Sequence, residues 1–193
     1  MPHSIATPSL VNAALVALGG VAIAAACGLR AFLPLLVLGL GARFGLVHLA
    51  PQAAWLSGDT VLWTLGVAAV LELLGDKIPV VDHALDVAGT FVRPAAAAVA
   101  GWATFAGVHP ALSFAAAVVL GAGALGVHAL KAKTRLGSSA LTLGHANPLL
   151  SVTEDVAAGA LSGLAILAPL VAFAVLALGL VLVARWMRRP RAR

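Results

Sequence analysis

The sequence predicts an all-α protein, a polytopic transmembrane helix bundle, and three observations lead there. First, 62% of the residues are hydrophobic and only 10% are charged, whereas a soluble domain carries roughly 25% charged residues. So few charges cannot build a water-facing surface, but they suffice for a lipid-facing one. Second, the apolar residues gather into stretches at 10–27, 31–48, 60–77, 110–130 and 152–185, close to or beyond the about 20 residues that cross a bilayer. Third, the net charge of +5 belongs to the C-terminus, where Arg185, Arg188, Arg189, Arg191 and Arg193 directly follow an apolar helix. Elsewhere seven cations face seven acids. A basic run beside a membrane helix anchors it at the anionic cytoplasmic leaflet, so nucleic acid is not an expected partner. The lone Cys27 excludes an internal disulfide. The first cation is Arg30, so a cleaved secretory signal, which starts basic, is not expected.

Along the chain, residues 10–27 form the first segment, which breaks at Cys27-Gly28-Leu29-Arg30, with Pro34 shortly after. Residues 31–48 are a second segment, rich in Leu and Gly. A polar loop follows, and Asp59 at its end suits the N-cap of 60–77. Pro79 restarts the chain. In 79–92, Asp82, Asp86, Gly89 and Arg93 fall on one helix face, and Val81, Leu85, Ala88 and Val92 on another. Such a helix spans only about 21 Å, so it is expected flat at the interface or packed as a lid. Pro94 opens an Ala-rich segment, 94–106. Lys131, Lys133 and Arg135 close 110–130. Residues 136–150 are short and polar, with a turn at Asn147-Pro148. If wholly helical, 152–185 would run about 50 Å, so a bend is expected near Pro169.

This makes about six or seven membrane segments, with 94–106 and 136–150 either crossing or re-entering. If all seven cross and the C-terminus is cytoplasmic, then Arg30, Lys77, Arg93, Lys131, Lys133 and Arg135 lie inside, and only Arg43 dissents. Trp55 and Trp63 then sit near the outer boundary and Trp186 near the inner one. The chain reads as a single transmembrane domain, 1–193, with a basic tail at 185–193. Two units, 10–77 and 110–185, share a helix–arginine–short segment–helix pattern that suggests an internal repeat with Arg30 matching Arg135. Glycines spaced for close helix contact are Gly41 and Gly45, Gly159 and Gly163, and Gly121, Gly123 and Gly126.

The chemistry concentrates in Glu72-Leu-Leu-Gly-Asp76-Lys77-Ile-Pro79-Val-Val-Asp82-His83-Ala-Leu-Asp86, followed by Arg93-Pro94. Glu72 and Asp76 share a face, as do Asp82 and Asp86. Glu72 lies one turn inside its helix end, where a bare charge is costly and requires a partner or water. Carboxylates of this kind suit a cation or proton pathway; equally, they suit an ion-pair knot with Lys77 and Arg93. Ser151-Val-Thr-Glu154 has capping-box spacing, with Asp155 adding a second acid to the first turn. The alternative places Glu154, Asp155 and Asn147 along a polar path. The histidines form no metal spacing, and no catalytic signature is present, so neither a metal nor a catalytic residue is expected.

Cys27-Gly28-Leu29-Arg30-Ala31-Phe32-Leu33-Pro34 and Glu72-x-x-x-Asp76-Lys77-Ile78-Pro79-x-x-Asp82-x-x-x-Asp86, with Arg93-Pro94, Lys133-Thr134-Arg135, Asn147-Pro148, Ser151 and Glu154-Asp155, resemble a family of small bacterial polytopic membrane proteins defined as a domain of unknown function. The resemblance covers about residues 15–175. It implies a membrane fold and singles out these residues, without supplying an activity.

The expected function is therefore a transporter or channel for a small cation or a proton-coupled solute, in the bacterial inner membrane. Glu72, Asp76, Asp82, Asp86, Glu154, Asp155 and Asn147 would line the pathway, and Arg30, Lys77, Arg93 and Arg135 would supply counter-charge. The alternative is a non-transporting structural or assembly protein; an embedded enzyme comes third. Expected partners are the lipid bilayer, the ion and a second copy of the chain, with no cofactor.

Overall fold

A computed structural model describes residues 10–49, 51–106, 109–143 and 145–187. The tail from Arg188 onward lies outside the described residues, as do the side chains of His83 and Trp186. Seven α-helices and one 3-10 helix make up the described fold, which contains no strand: α1 (Leu10–Leu29), α2 (Phe32–Arg43), a 3-10 helix (Pro51–Ser57), α3 (Asp59–Gly75), α4 (Pro79–Phe105), α5 (Pro110–Thr142), α6 (Asn147–Leu167) and α7 (Pro169–Met187). Proline sets most of these starts. Pro79, Pro110 and Pro148 stand in the first turn of α4, α5 and α6, where a missing N–H costs nothing. His109 caps α5, its Nδ1 accepting from the Ala111 N–H at 3.2 Å.

The distribution of side chains is inverted relative to a soluble protein. Arg30, Glu72, Asp76, Arg93, Lys131 and Arg135 are buried, while Leu141, Trp63, Phe91 and Phe114 are exposed. By length and composition α5 and α6 can each cross a membrane, and the 3-10 helix with α3, bent by 57°, is either a third, broken span or a re-entrant loop; shorter apolar helices accompany them. The protein is a helical membrane bundle.

Helix α1 is its axis, touching α2, α4, α5, α6 and α7. Small residues allow this: Ala22, Ala24 and Cys27 are buried in one cluster with Ala97, Ala100 and Ala103. A Cβ on Gly19 would come within 2.7 Å of the Ala165 carbonyl oxygen, and one on Gly28 within 2.6 Å of Val127. Close backbone approach of this kind is how helices associate without a hydrophobic drive. Of the glycines expected at contacts, Gly41 packs on Ile166 and Gly121 on Pro94, whereas Gly123, Gly126 and Gly163 face open space. Gly159 makes only an ordinary contact with Leu33. Gly45, at φ +72°, instead ends α2 in a turn closed by Leu46 N–H to Gly41 O at 2.8 Å.

Several expected boundaries are corrected. Segments 79–92 and 94–106 are one helix, α4, running through Pro94. The carbonyl that Pro94 frees is tolerable where neighbouring helices surround it. Segment 110–130 and residues 136–142 are likewise one helix, α5, and the described remainder of 136–150 is a turn and the start of α6. Its cations do not end it, because Lys131 and Arg135 turn inward and only Lys133 is exposed. Asn147 starts α6 five residues before the expected 152. Ser151 is thus inside α6, where it bonds to Arg30 instead of forming a capping box. Asp59 is the first residue of α3, capped by the backbone at Gly58, and pairs with Arg43 at 2.7 Å. The expected bend near Pro169 is a helix break at Ala168.

Candidate functional site

Five helices, α1, α3, α4, α5 and α6, or the turns beside them, bring charged side chains to one end of the bundle. Antiparallel packing explains the convergence. The start of α2 lies beside the end of α3, and α4 and α5 pair from Asp82–Arg135 to the Pro94–Gly121 contact. Arg43 and Asp59 occupy the opposite end of α2 and α3 and take no part.

Glu72, near the end of α3, spans the break between α1 and α2. Its two oxygens accept from the N–H groups of Ala31 at 3.0 Å and Phe32 at 3.2 Å. A carboxylate there meets unpaired amides and the positive end of the α2 dipole. Its nearest cation is Arg93, at 3.9 Å. Lys77 pairs instead with Asp155, at 3.1 Å.

Asp76, in the turn after α3, is the hub. Its Oδ2 accepts from Arg30 Nη1 and from Arg135 Nη2 at 3.0 Å, with Lys131 Nζ at 3.5 Å. Burial pushes its pKa up, but Lys131, Arg30 and Arg135 outweigh this and hold it below its ordinary value. Its Oδ1 is buried without a hydrogen-bond partner among the described residues.

Around this hub the other charges close a network. Arg30 reaches the Ser151 hydroxyl at 3.0 Å and pairs with Asp155. Arg135 holds Asp82 and, at 2.8 Å, Glu154. Lys131 meets Glu154 at 3.1 Å. Arg93 faces Asp86 at 3.5 Å and contacts Nδ1 of His128. Glu72, Asp76, Asp82, Asp86, Glu154 and Asp155 thus stand against Arg30, Lys77, Arg93, Lys131 and Arg135, six carboxylates to five cations.

A cavity of about 990 Å³ opens on this network between α4, α5 and the start of α6. Asp76, Asp82, Asp86, His128 and Arg135 line it; Glu72, Glu154 and Asp155 do not. Asn147 stands in its wall, donating to Ser139 Oγ at 2.9 Å, with its own Oδ1 unpartnered among the described residues. No group of three or more His, Cys, Asp or Glu side chains among the described residues is placed to hold a metal ion.

Residues 17–189 match the family described as "Domain of unknown function (DUF4126)". The chain belongs to this family. The match continues past the expected limit at residue 175 and into the basic tail. No curated protein matches the chain, and neither does any solved structure.

In this DUF4126 domain the structure gathers every sequence-predicted charge into one network and leaves Asn147 on the cavity wall beside it. Sequence reasoning missed Lys131 and His128, and it singled out Ser151 as a landmark and a helix cap without its bond to Arg30. A signal for the first two was present: His128, Lys131 and Arg135 lie three and four apart, hence on one face of α5. Ser151 carried no such signal, since its partner Arg30 is 121 positions away.

Proposed function

We propose that this DUF4126 protein is an inner-membrane transporter or channel for a small cation or a proton-coupled solute, with the α4–α5 cavity as its cytoplasmic vestibule. The observation that carries the reading is the opening of Asp82 and Asp86, with Asp76 buried behind them, onto a cavity of about 990 Å³ in a bundle whose outer surface is apolar. Intramembrane acids on a cavity wall mark ion pathways, and the excess of one carboxylate favours a positive occupant. The exposed cations Lys77 and Lys133 favour the cytoplasmic side for this end of the bundle, as the arginines from Arg185 onward do for the C-terminus. The reading assigns no catalytic residue and no cofactor. Its partners are the bilayer, the ion and a second copy of the chain.

The test is flux. Purified protein in vesicles should pass protons, sodium or potassium down an imposed gradient, and Asp86→Asn should lower that flux at least tenfold. Absence of flux for all three ions would discard transport.

One observation favours a structural role instead. Glu72 is buried and fully used, holding the α2 amides beside Arg93. A bundle whose charges serve only to lock six helices together would act as a scaffold, and silent vesicles containing a stable protein would support it.

A further inference from the structure

We propose that the ion handled by the cavity is a proton, and that it binds at Nδ1 of His128 in competition with Arg93. This rests on the transport reading above and names its substrate.

A metal cation fits the cavity poorly. Hard cations take about six oxygen ligands, but each carboxylate on the wall already faces a guanidinium or ammonium group that repels a cation. A proton requires one lone pair, and His128 holds one in reserve.

The hydrogen bonds fix where that lone pair lies. Arginine can only donate, so Nδ1, in contact with Arg93 Nη1, is the acceptor nitrogen. The ring is then neutral, with its hydrogen on Nε2, 3.4 Å from Thr90 Oγ1. That hydroxyl donates onward to the Asp86 carbonyl at 3.3 Å, leaving its own lone pairs for Nε2–H. The donor directions agree along the whole chain.

A hydronium ion in the cavity gives its proton to Nδ1: one O–H bond breaks, one N–H bond forms, and a water molecule is left. This transfer turns Nδ1 from acceptor to donor and places two cations in contact, so Arg93 must leave. Its next partners already stand beside it, beyond hydrogen-bond length: Asp86 Oδ1 at 3.5 Å and Glu72 Oε1 at 3.9 Å. A proton in the α4–α5 cavity therefore draws Arg93 toward Asp86, the nearer of the two. With His128 charged, the six carboxylates face six cations and the buried network is neutral.

The groups facing His128 are Asp86 and Arg93 from α4 and Lys131 from its own helix. From α1 and α6, Arg30 and Glu154 contact Asp76, Lys131 and Arg135 one and two turns away.

The test uses the full chain in vesicles with a trapped pH-sensitive dye, beside nitrogen NMR of the histidine rings in detergent. His128→Asn is the variant, since its amide oxygen replaces Nδ1 as the acceptor for Arg93 but does not titrate. Wild type should move protons, and the variant should lose at least tenfold of that flux. The wild-type signal absent from the variant should change from an acceptor nitrogen to an N–H as pH falls. Flux of sodium or potassium without protons would overturn the proton and leave transport standing. No flux of any ion would overturn both. Undiminished proton flux in His128→Asn, or an Nδ1 that never gains a proton while protons move, would overturn His128 as the site.

Discussion

Arg30 and Asp76 face one another with no side-chain surface exposed on either, joining the end of α1 to the turn after α3. Two ions that water cannot reach depend on each other, because losing one strands its partner in a medium that solvates it badly. Each also holds further partners: Asp76 Oδ2 draws Arg135 and Lys131, and Arg30 reaches Ser151 and Asp155.

The first prediction follows from that sharing. Asp76→Asn should destabilise the protein by roughly 3–5 kcal/mol, the cost of breaking a buried pair. Arg30→Gln should do the same, and the double variant should recover part of the loss. Thermal unfolding in detergent reads all three; single variants that melt with the wild type would refute the hub.

A pH dependence accompanies it. The folded pKa of Asp76 is lowered from 3.8. Its contribution to stability is therefore fully present above that ordinary value and is lost as pH falls through the folded value below it. Acid unfolding of the wild type should show this loss, and Asp76→Asn should lack it.

Glu72 separates structure from transport. It contacts backbone amides and Arg93, away from the cavity wall. Glu72→Gln should lower the melting temperature while leaving vesicle flux within about twofold of wild type, and Glu72→Ala should cost about 1 kcal/mol more through the lost cap. Flux abolished in a stable Glu72→Gln protein would return Glu72 to the pathway.

The membrane fold and the pairing of acids with Arg30, Lys77, Arg93 and Arg135 were legible because composition and helical spacing are local properties. The long helices were not. Pro94 normally stops a helix and the Lys131–Arg135 run normally ends an apolar membrane segment, and what overrides them is a neighbour: the α5 backbone at Gly121 against Pro94, and the acids Asp76, Asp82 and Glu154 around Lys131 and Arg135. Ser151 misled for the same reason. Its spacing to Glu154 fits a capping box, but the side chain that decides its role comes from α1.

Topology gives the fourth prediction. A reporter active only outside the cytoplasm should stay silent when fused after Arg193. Inserted in the 44–49 loop beside Arg43 and Asp59, at the far end of α2 from the charge network, it should be active. The reverse pattern would invert the vestibule.

The last prediction tests the axis of the bundle through two glycines that look alike in sequence. Gly28 lies where α1 meets α5, and even a single added carbon would come within 2.6 Å of the Val127 Cβ and 2.7 Å of the Ala124 carbonyl oxygen. Neither neighbour is the flexible tip of a long side chain, so Gly28→Ala must push α1 and α5 apart. Overpacking of this kind costs typically about 1–3 kcal/mol. The shift also reaches the charge network, because Lys131 Nζ lies 3.5 Å from the Leu29 carbonyl, the next residue on α1. Gly126 sits on the same helix, α5, but has nothing within 4 Å of an added Cβ. There alanine meets no obstacle and gains helix propensity, worth up to about 1 kcal/mol. Gly28→Ala should therefore melt below the wild type and Gly126→Ala at or above it. Equal melting temperatures for the two variants would remove the close α1–α5 contact on which the placement of Arg30 beside Lys131 and Arg135 depends.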